Sequence, residues 1–303
     1  MIKTSTCFGR LICNVFLFLL TFPISSFAQN SQNEVQSIDC QGIVRSLTAP
    51  NDEYTVTVKK QLASGQKVDL EVAIWDGADF SKIHLEKNDR AAASRYDKQL
   101  KLLIAIAGDD SKIVTSLLER GASTNYLPPL YSYPSPLSVA AVCSKNRLAQ
   151  YLVEKGANVN LEFPYEVSGA EFHKSTALIW AAENGNANLV KYFLEHGANP
   201  DAQETSEVDG KERLGRTVLL ASSDKAVIEI LAGRVKNIDA TADDGRSALI
   251  NAVAQGKPEI ACVLIDHGAD LNLKDKNGYS ALSIAEMKGI ASQVQSCQNR
   301  HRR

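Results

Sequence analysis

Residues 176–201 read Thr-Ala-Leu-Ile-Trp-Ala-Ala-Glu-Asn-Gly-Asn-Ala-Asn-Leu-Val-Lys-Tyr-Phe-Leu-Glu-His-Gly-Ala-Asn-Pro-Asp. Two short amphipathic helices can be read in them. Leu178, Ala181 and Ala182 mark one face of the first. Leu189, Val190, Phe193 and Leu194 mark a face of the second, at the spacing of a 3.6-residue period. Gly185 breaks the chain between them, and Gly197 stands where a left-handed helix stop is needed. Neither helix is long enough to be stable alone. The unit therefore has to lean on copies of itself.

The copies are present. Residues 135–160 run Ser-Pro-Leu-Ser-Val-Ala-Ala, then Leu148, Tyr151 and Leu152, then Lys-Gly-Ala-Asn-Val-Asn. Residues 247–272 run Ser-Ala-Leu-Ile-Asn-Ala-Val-Ala-Gln-Gly, then Ile260, Ala261, Leu264 and Ile265, then His-Gly-Ala-Asp-Leu-Asn. The pattern resembles the ankyrin repeat, T-P-L-H-x-A-A-x-x-G followed by an apolar helix and G-A-D-x-N. The resemblance implies an all-α ankyrin-repeat solenoid with extended, β-type fingers over residues 96–297, including an eroded repeat at 215–239 and a polar capping repeat at 278–297. Repeat starts at Leu100, Ser135, Thr176, Thr217, Ser247 and Ser280 are spaced by 35, 41, 41, 30 and 33 residues. The excess over about 33 falls in the fingers between repeats.

Residues 38–95 are read as a degenerate first repeat plus a β-hairpin insertion. Ile43, Val44 and Leu47 suit one helix, and Val56, Val58 and Leu62 a second. The competing reading is β, because Tyr54-Thr-Val-Thr-Val alternates like a strand. The hairpin is placed at 67–87, with a turn at Asp76-Gly-Ala-Asp79.

Residues 1–28 have the form of a secretory signal peptide: basic Lys3 and Arg10, an apolar run from Leu11 to Leu20, and Ser26-Phe-Ala28 as cleavage site. The run is short of the roughly 20 residues that span a bilayer. Export is thus expected, to a periplasm first and the extracellular medium second, with no membrane insertion of the mature chain. Residues 29–37 form a polar leader, and 298–303 a basic tail. The whole chain has 33 Lys and Arg against 35 Asp and Glu; without Lys3 and Arg10 it keeps 31 against 35, a net charge of −4. That balance gives no support for nucleic-acid binding. Four cysteines lie beyond the leader, Cys40, Cys143, Cys262 and Cys297, at no metal-ligand spacing. Cys262 and Cys297 fall on equivalent helices of neighbouring repeats and are the candidate disulfide; free, buried thiols are the alternative.

No catalytic constellation, cofactor motif or metal set emerges. His196 and His267 precede Gly-Ala-Asx turns, as repeat residues rather than general bases. The expected partner is another protein, bound by a monomer or within a heterodimer. The candidate binding residues are aromatic and sit in the long fingers: Tyr126, Tyr131 and Tyr133 in one, Phe163, Tyr165 and Phe172 in the next. Trp180 joins them, at the first-helix position that faces the groove in this family. Such side chains bring large contact area at low entropy cost; the alternative is that they pack on one another to hold the finger down. The third finger, with Glu204, Glu207, Asp209, Lys211, Glu212 and Arg213, reads as a charged, solvated loop. Replacing Tyr131 and Tyr133 together by alanine is expected to weaken partner binding by more than about 2 kcal/mol and leave the melting curve in place. Unchanged affinity would move the interface elsewhere.

Overall fold

The computed structural model describes residues 54–61, 67–74, 98–126, 134–167, 171–208 and 211–300. Its helices come in pairs. Residues 98–107 (α1) precede α2, Ser111–Glu119. Then follow α3 (Pro136–Val142) and α4 (Asn146–Glu154), and α5 (Ala177–Glu183) and α6 (Ala187–Glu195). After them come α7 (Val218–Ala221) and α8 (Lys225–Ala232), α9 (Ala248–Ala254) and α10 (Pro258–Asp266), and α11 (Ala281–Met287) and α12 (Ala291–Arg300).

Stacking is serial, in two layers. First helices pack in the order α3, α5, α7, α9, α11, and second helices in the order α4, α6, α8, α10, α12. The first helices α3 and α5 are alanine-rich and slender, so neighbours enclose them almost completely. Every residue of α3 is buried, and so is Ala177–Ala182 of α5. The second helices bury one stripe, for example Leu189, Val190 and Phe193 of α6. Their ends are set by sequence. Ser135, Thr217, Ser247 and Ser280 accept a hydrogen bond from the backbone N–H three residues on, capping α3, α7, α9 and α11. The turn inside a pair needs a left-handed residue. Gly185, Gly256 and Gly289 supply it in three repeats; Asp109 and Ser144 adopt it, at φ 61° and 52°, in two others.

Neighbouring repeats are also stitched by Asn and Asp side chains. Asn125 donates to the Gly156 carbonyl and accepts from the Asn158 N–H, at 2.8 and 2.7 Å. Asn160 repeats both bonds one unit later, to the Gly197 carbonyl and from the Asn199 N–H, each 2.8 Å. Asp201 has no donor to offer and keeps only the second, accepting from the Lys236 N–H at 2.8 Å. Asp239 accepts from the Asp270 N–H.

The eroded repeat, which lacks an inter-helix glycine, has a short first helix. α7 has four residues. The chain is extended at Ser222, and Asp224 caps the start of α8. At the other end of the stack Cys262 on α10 and Cys297 on α12 are disulfide-bonded, with Cα atoms 5.3 Å apart. Cys143 is disulfide-bonded as well.

Three expectations need correction. The fold is not all-α. It is helix-rich with a small antiparallel sheet, because two successive fingers fold into hairpins and pair with each other. The strands are β3 (Phe163–Val167), β4 (Glu171–Ser175), β5 (Gln203–Val208) and β6 (Lys211–Thr217), in that spatial order. The charged finger is therefore not a solvated loop. Nor is 54–61 helical: β1 (Tyr54–Gln61) pairs antiparallel with β2 (Lys67–Ile74), Tyr54 opposite Ile74. Alternating β-branched residues suit a pleated strand better than a helix. The strand expected from Val68 is present, but its partner lies before it; the turn at 76–79 and residues 80–87 lie outside the described residues.

Asn160→Ala removes two bonds between repeats, each worth about 1 kcal/mol net. A loss of about 1–2 kcal/mol in equilibrium urea unfolding is expected, with Asn160→Asp losing roughly half, since it keeps the acceptor and lacks the donor.

Candidate binding site: the finger sheet and its dock on helix α5

Sheet β3–β6 rises from the junctions on either side of the repeat that holds α5. Its base is fixed to α5 at two places, one apolar and one ionic.

Phe163, the first residue of β3, makes the apolar contact. Its ring meets Trp180 edge-on, with centroids 4.7 Å apart and planes at 88°. Both rings are inside the fold, Phe163 at 0% and Trp180 at 3% exposure. These two residues, expected to touch a partner, are thus core residues with no surface to offer one. The finger folds over the first helix and covers the position that the family resemblance assigned to the groove.

Arg216, near the end of β6, makes the ionic contact. Its guanidinium donates to both carboxylate oxygens of Glu204 at 3.0 and 3.1 Å. It also donates to both oxygens of Glu183 at 3.0 and 3.2 Å. Glu183 closes α5, one turn beyond Trp180, so the two docking residues lie on one face of that helix. Ser175 donates to Glu204 at 3.3 Å. The Glu204 side chain is 3% exposed, Glu183 18% and Arg216 22%. Burial by itself works against the guanidinium's charge; the charge and hydrogen bonds of Glu204, then those of Glu183, outweigh it and hold Arg216 above its ordinary range.

Away from its base the sheet is solvated. Lys174, Glu207, Lys211, Glu212, Arg213 and Leu214 are exposed. Leu214 is notable for an apolar side chain, at 46%. Its carbonyl accepts from the Asp243 N–H at 2.8 Å, so the next finger touches the sheet at that point.

Of the other candidate residues, Tyr126 is half-buried just beyond the turn that follows α2. Tyr165 and Phe172 stand in β3 and β4, opposite His173 and Glu166 respectively. Tyr131 and Tyr133 lie outside the described residues. His196 and His267 follow α6 and α10 as C-caps and donate from Nδ1 to the Tyr192 and Val263 carbonyls, at 2.8 and 2.9 Å. The sequence reading missed Glu183 and Arg216, and placed Glu204 in a solvated loop where the structure buries it. Arg216 immediately before a repeat start was the one available signal, and its two acceptors are 12 and 33 residues away. Among the described residues no helix is long and apolar enough to cross a membrane. Nor, among them, is any group of three or more His, Cys, Asp or Glu side chains placed to hold a metal ion.

The paired helices, capped starts and Gly-Ala-Asx turns define a repeat protein of one family, and the chain belongs to the ankyrin-repeat family. The description "Ankyrin repeats (3 copies)" matches residues 102–204, and "Ankyrin repeats (many copies)" matches 230–285. Ankyrin repeats are protein-binding units. Among solved structures, "EF0377 an Ankyrin Repeat Protein" is similar at 26% identity and a TM-score of 0.51, covering 66% of this chain and 96% of that one. A chain in the complex of "Bd0816 Predatory Endopeptidase from Bdellovibrio bacteriovorus" with "immunity protein Bd3460" shares the fold. It is 24% identical with a TM-score of 0.51, and the match covers 65% of this chain and 97% of that one. Two curated proteins, "Potassium channel AKT1" of Oryza sativa subsp. indica and subsp. japonica, are each 29% identical over 72 residues. That is 24% of this chain, which spans only 8% of the length of those relatives.

Phe163→Ala is expected to lower the unfolding free energy by about 3 kcal/mol, as for other buried aromatic truncations. Equilibrium denaturation measures it; a loss under about 1 kcal/mol would show that the ring is not part of the core.

Proposed function

We propose that this chain is a non-catalytic binding module that acts outside the cytoplasm and neutralises a toxin or enzyme by binding it, in the manner of an immunity protein or inhibitor. The observation that carries the reading is the finger sheet. Long junctions are the usual place for mobile loops. Here two of them are folded into four paired strands and fastened to α5. A surface ordered in advance loses little entropy when a partner arrives. The surface proposed is the exposed face of β3–β6, with Tyr126, Tyr131 and Tyr133 of the preceding finger kept as candidates from the sequence.

Three further points support the reading. The signal-like residues 1–28 fit an exported protein. The disulfide between Cys262 and Cys297 suits an oxidising compartment. And the fold recurs in a complex of a predatory endopeptidase with an immunity protein. A second reading, a scaffold or protective partner of a resident envelope protein, uses the same surface.

Affinity capture with the chain from residue 29 onward, from the envelope fraction of its native host, followed by reconstitution of the pair from pure components, tests the proposal. A one-to-one complex in which the captured protein loses its activity is expected. A complex with activity intact would favour the scaffold, and no reconstitutable complex at all would overturn both.

A further inference from the structure

The cluster around Arg216 is built in a way that plain stabilisation does not require. In the β5–β6 register Gln203 faces Thr217 and Thr205 faces Leu214. Two residues of β6, Gly215 and Arg216, therefore stand opposite the single residue Glu204. Such a bulge bends the strand and re-aims a side chain, and here the side chain re-aimed is Arg216. Gly215 is part of the same construction. A Cβ at that position would lie 2.9 Å from the Cβ of Glu204, inside any real contact distance. The absence of a side chain at 215 is what lets Glu204 settle over the bulge.

The bonds themselves are divided between two bodies. Two of the four run to Glu204, inside the sheet, and two to Glu183, at the end of a helix in the repeat stack. A buried ion cluster is a poor source of net stability, because an apolar replacement often does as well. What a planar, bidentate fork supplies is direction. The other fastening, Phe163 edge-on against Trp180, is an apolar contact at the start of β3, the edge strand opposite β6.

We propose that Arg216 is a positioning residue for partner binding: by gripping Glu183 and Glu204 at once, it holds strands β3–β6 in one attitude on the repeat stack before a partner arrives. This rests on the binding reading above, but its test does not need the partner.

Hydrogen exchange read by mass spectrometry on the free chain from residue 29 onward is the measurement. In Arg216→Met the amides of 203–208 and 211–217 are expected to exchange at least ten-fold faster, with those of α4, α6 and α10 staying within two-fold of wild type. In Arg216→Lys, which keeps the charge and loses the fork, the sheet should remain at least three-fold faster than wild type. Should Arg216→Met fail to fold, Glu183→Gln weakens only the grip on the stack with a side chain of the same shape, since the amide keeps one acceptor and loses the charge and the second, and the same local rise of at least three-fold is expected. An equal rise through sheet and helices would make Arg216 a general stabiliser and overturn the proposal. So would an unchanged sheet, or full rescue by lysine. A chain that shows this exchange pattern and binds nothing would sink the binding reading while leaving the clamp in place.

Discussion

A helix of seven to nine residues cannot hold itself together in water, and almost every helix described here is that short. All that follows is a consequence. The first helices are slender because alanines let neighbours close in on every side, as around α3 and α5. On the second helices Leu189, Phe193, Leu231 and Leu264 are buried and fill the space between layers. Stability in such an array is a sum over neighbouring pairs. The Asn and Asp side chains that reach from one turn to the next add a directional bond at each step. They convert apolar stacking, which tolerates sliding, into a fixed register.

The same constraint explains why departures from the repeat are informative. The step with the weakest pattern, α7 with its four residues, is also the one next to β6 and the Arg216 cluster. Asp201, where its counterparts are Asn125 and Asn160, makes one inter-repeat bond rather than two at the entry to that step. The stack is thinned there, and the finger sheet covers the place. Residues added to the fingers are thus not idle length. They supply a second small layer, with Phe163 and Arg216 at its two fastenings to α5.

Much of this was legible along the chain. The period, the Gly-Ala-Asx turns and the Ser or Thr caps are local signals, each decided by residues within a few positions of one another. They give the helices, their ends and their order. They also foretell the short α7, where the inter-helix glycine is missing. At 54–61 the alternation of Tyr54-Thr-Val-Thr-Val left helix and strand both open along the chain, and the partner strand, 67–74, decides for the pleat; Ile43, Val44, Leu47 and Leu62 lie outside the described residues.

What the sequence alone determined is therefore the repeat: paired helices, their spacing, the junctions that carry extra residues, and the family. What only the tertiary structure decided is the use of those junctions. Strand pairing between one finger and the next joins residues about 30 apart, such as His173 and Ser206, and no local pattern records it. The burial of Phe163, Trp180 and Glu204 follows from that pairing. An aromatic or charged residue in a loop reads the same whether it will meet solvent, a partner or the underside of a sheet; the difference lies in long-range contacts, which the order of residues does not display.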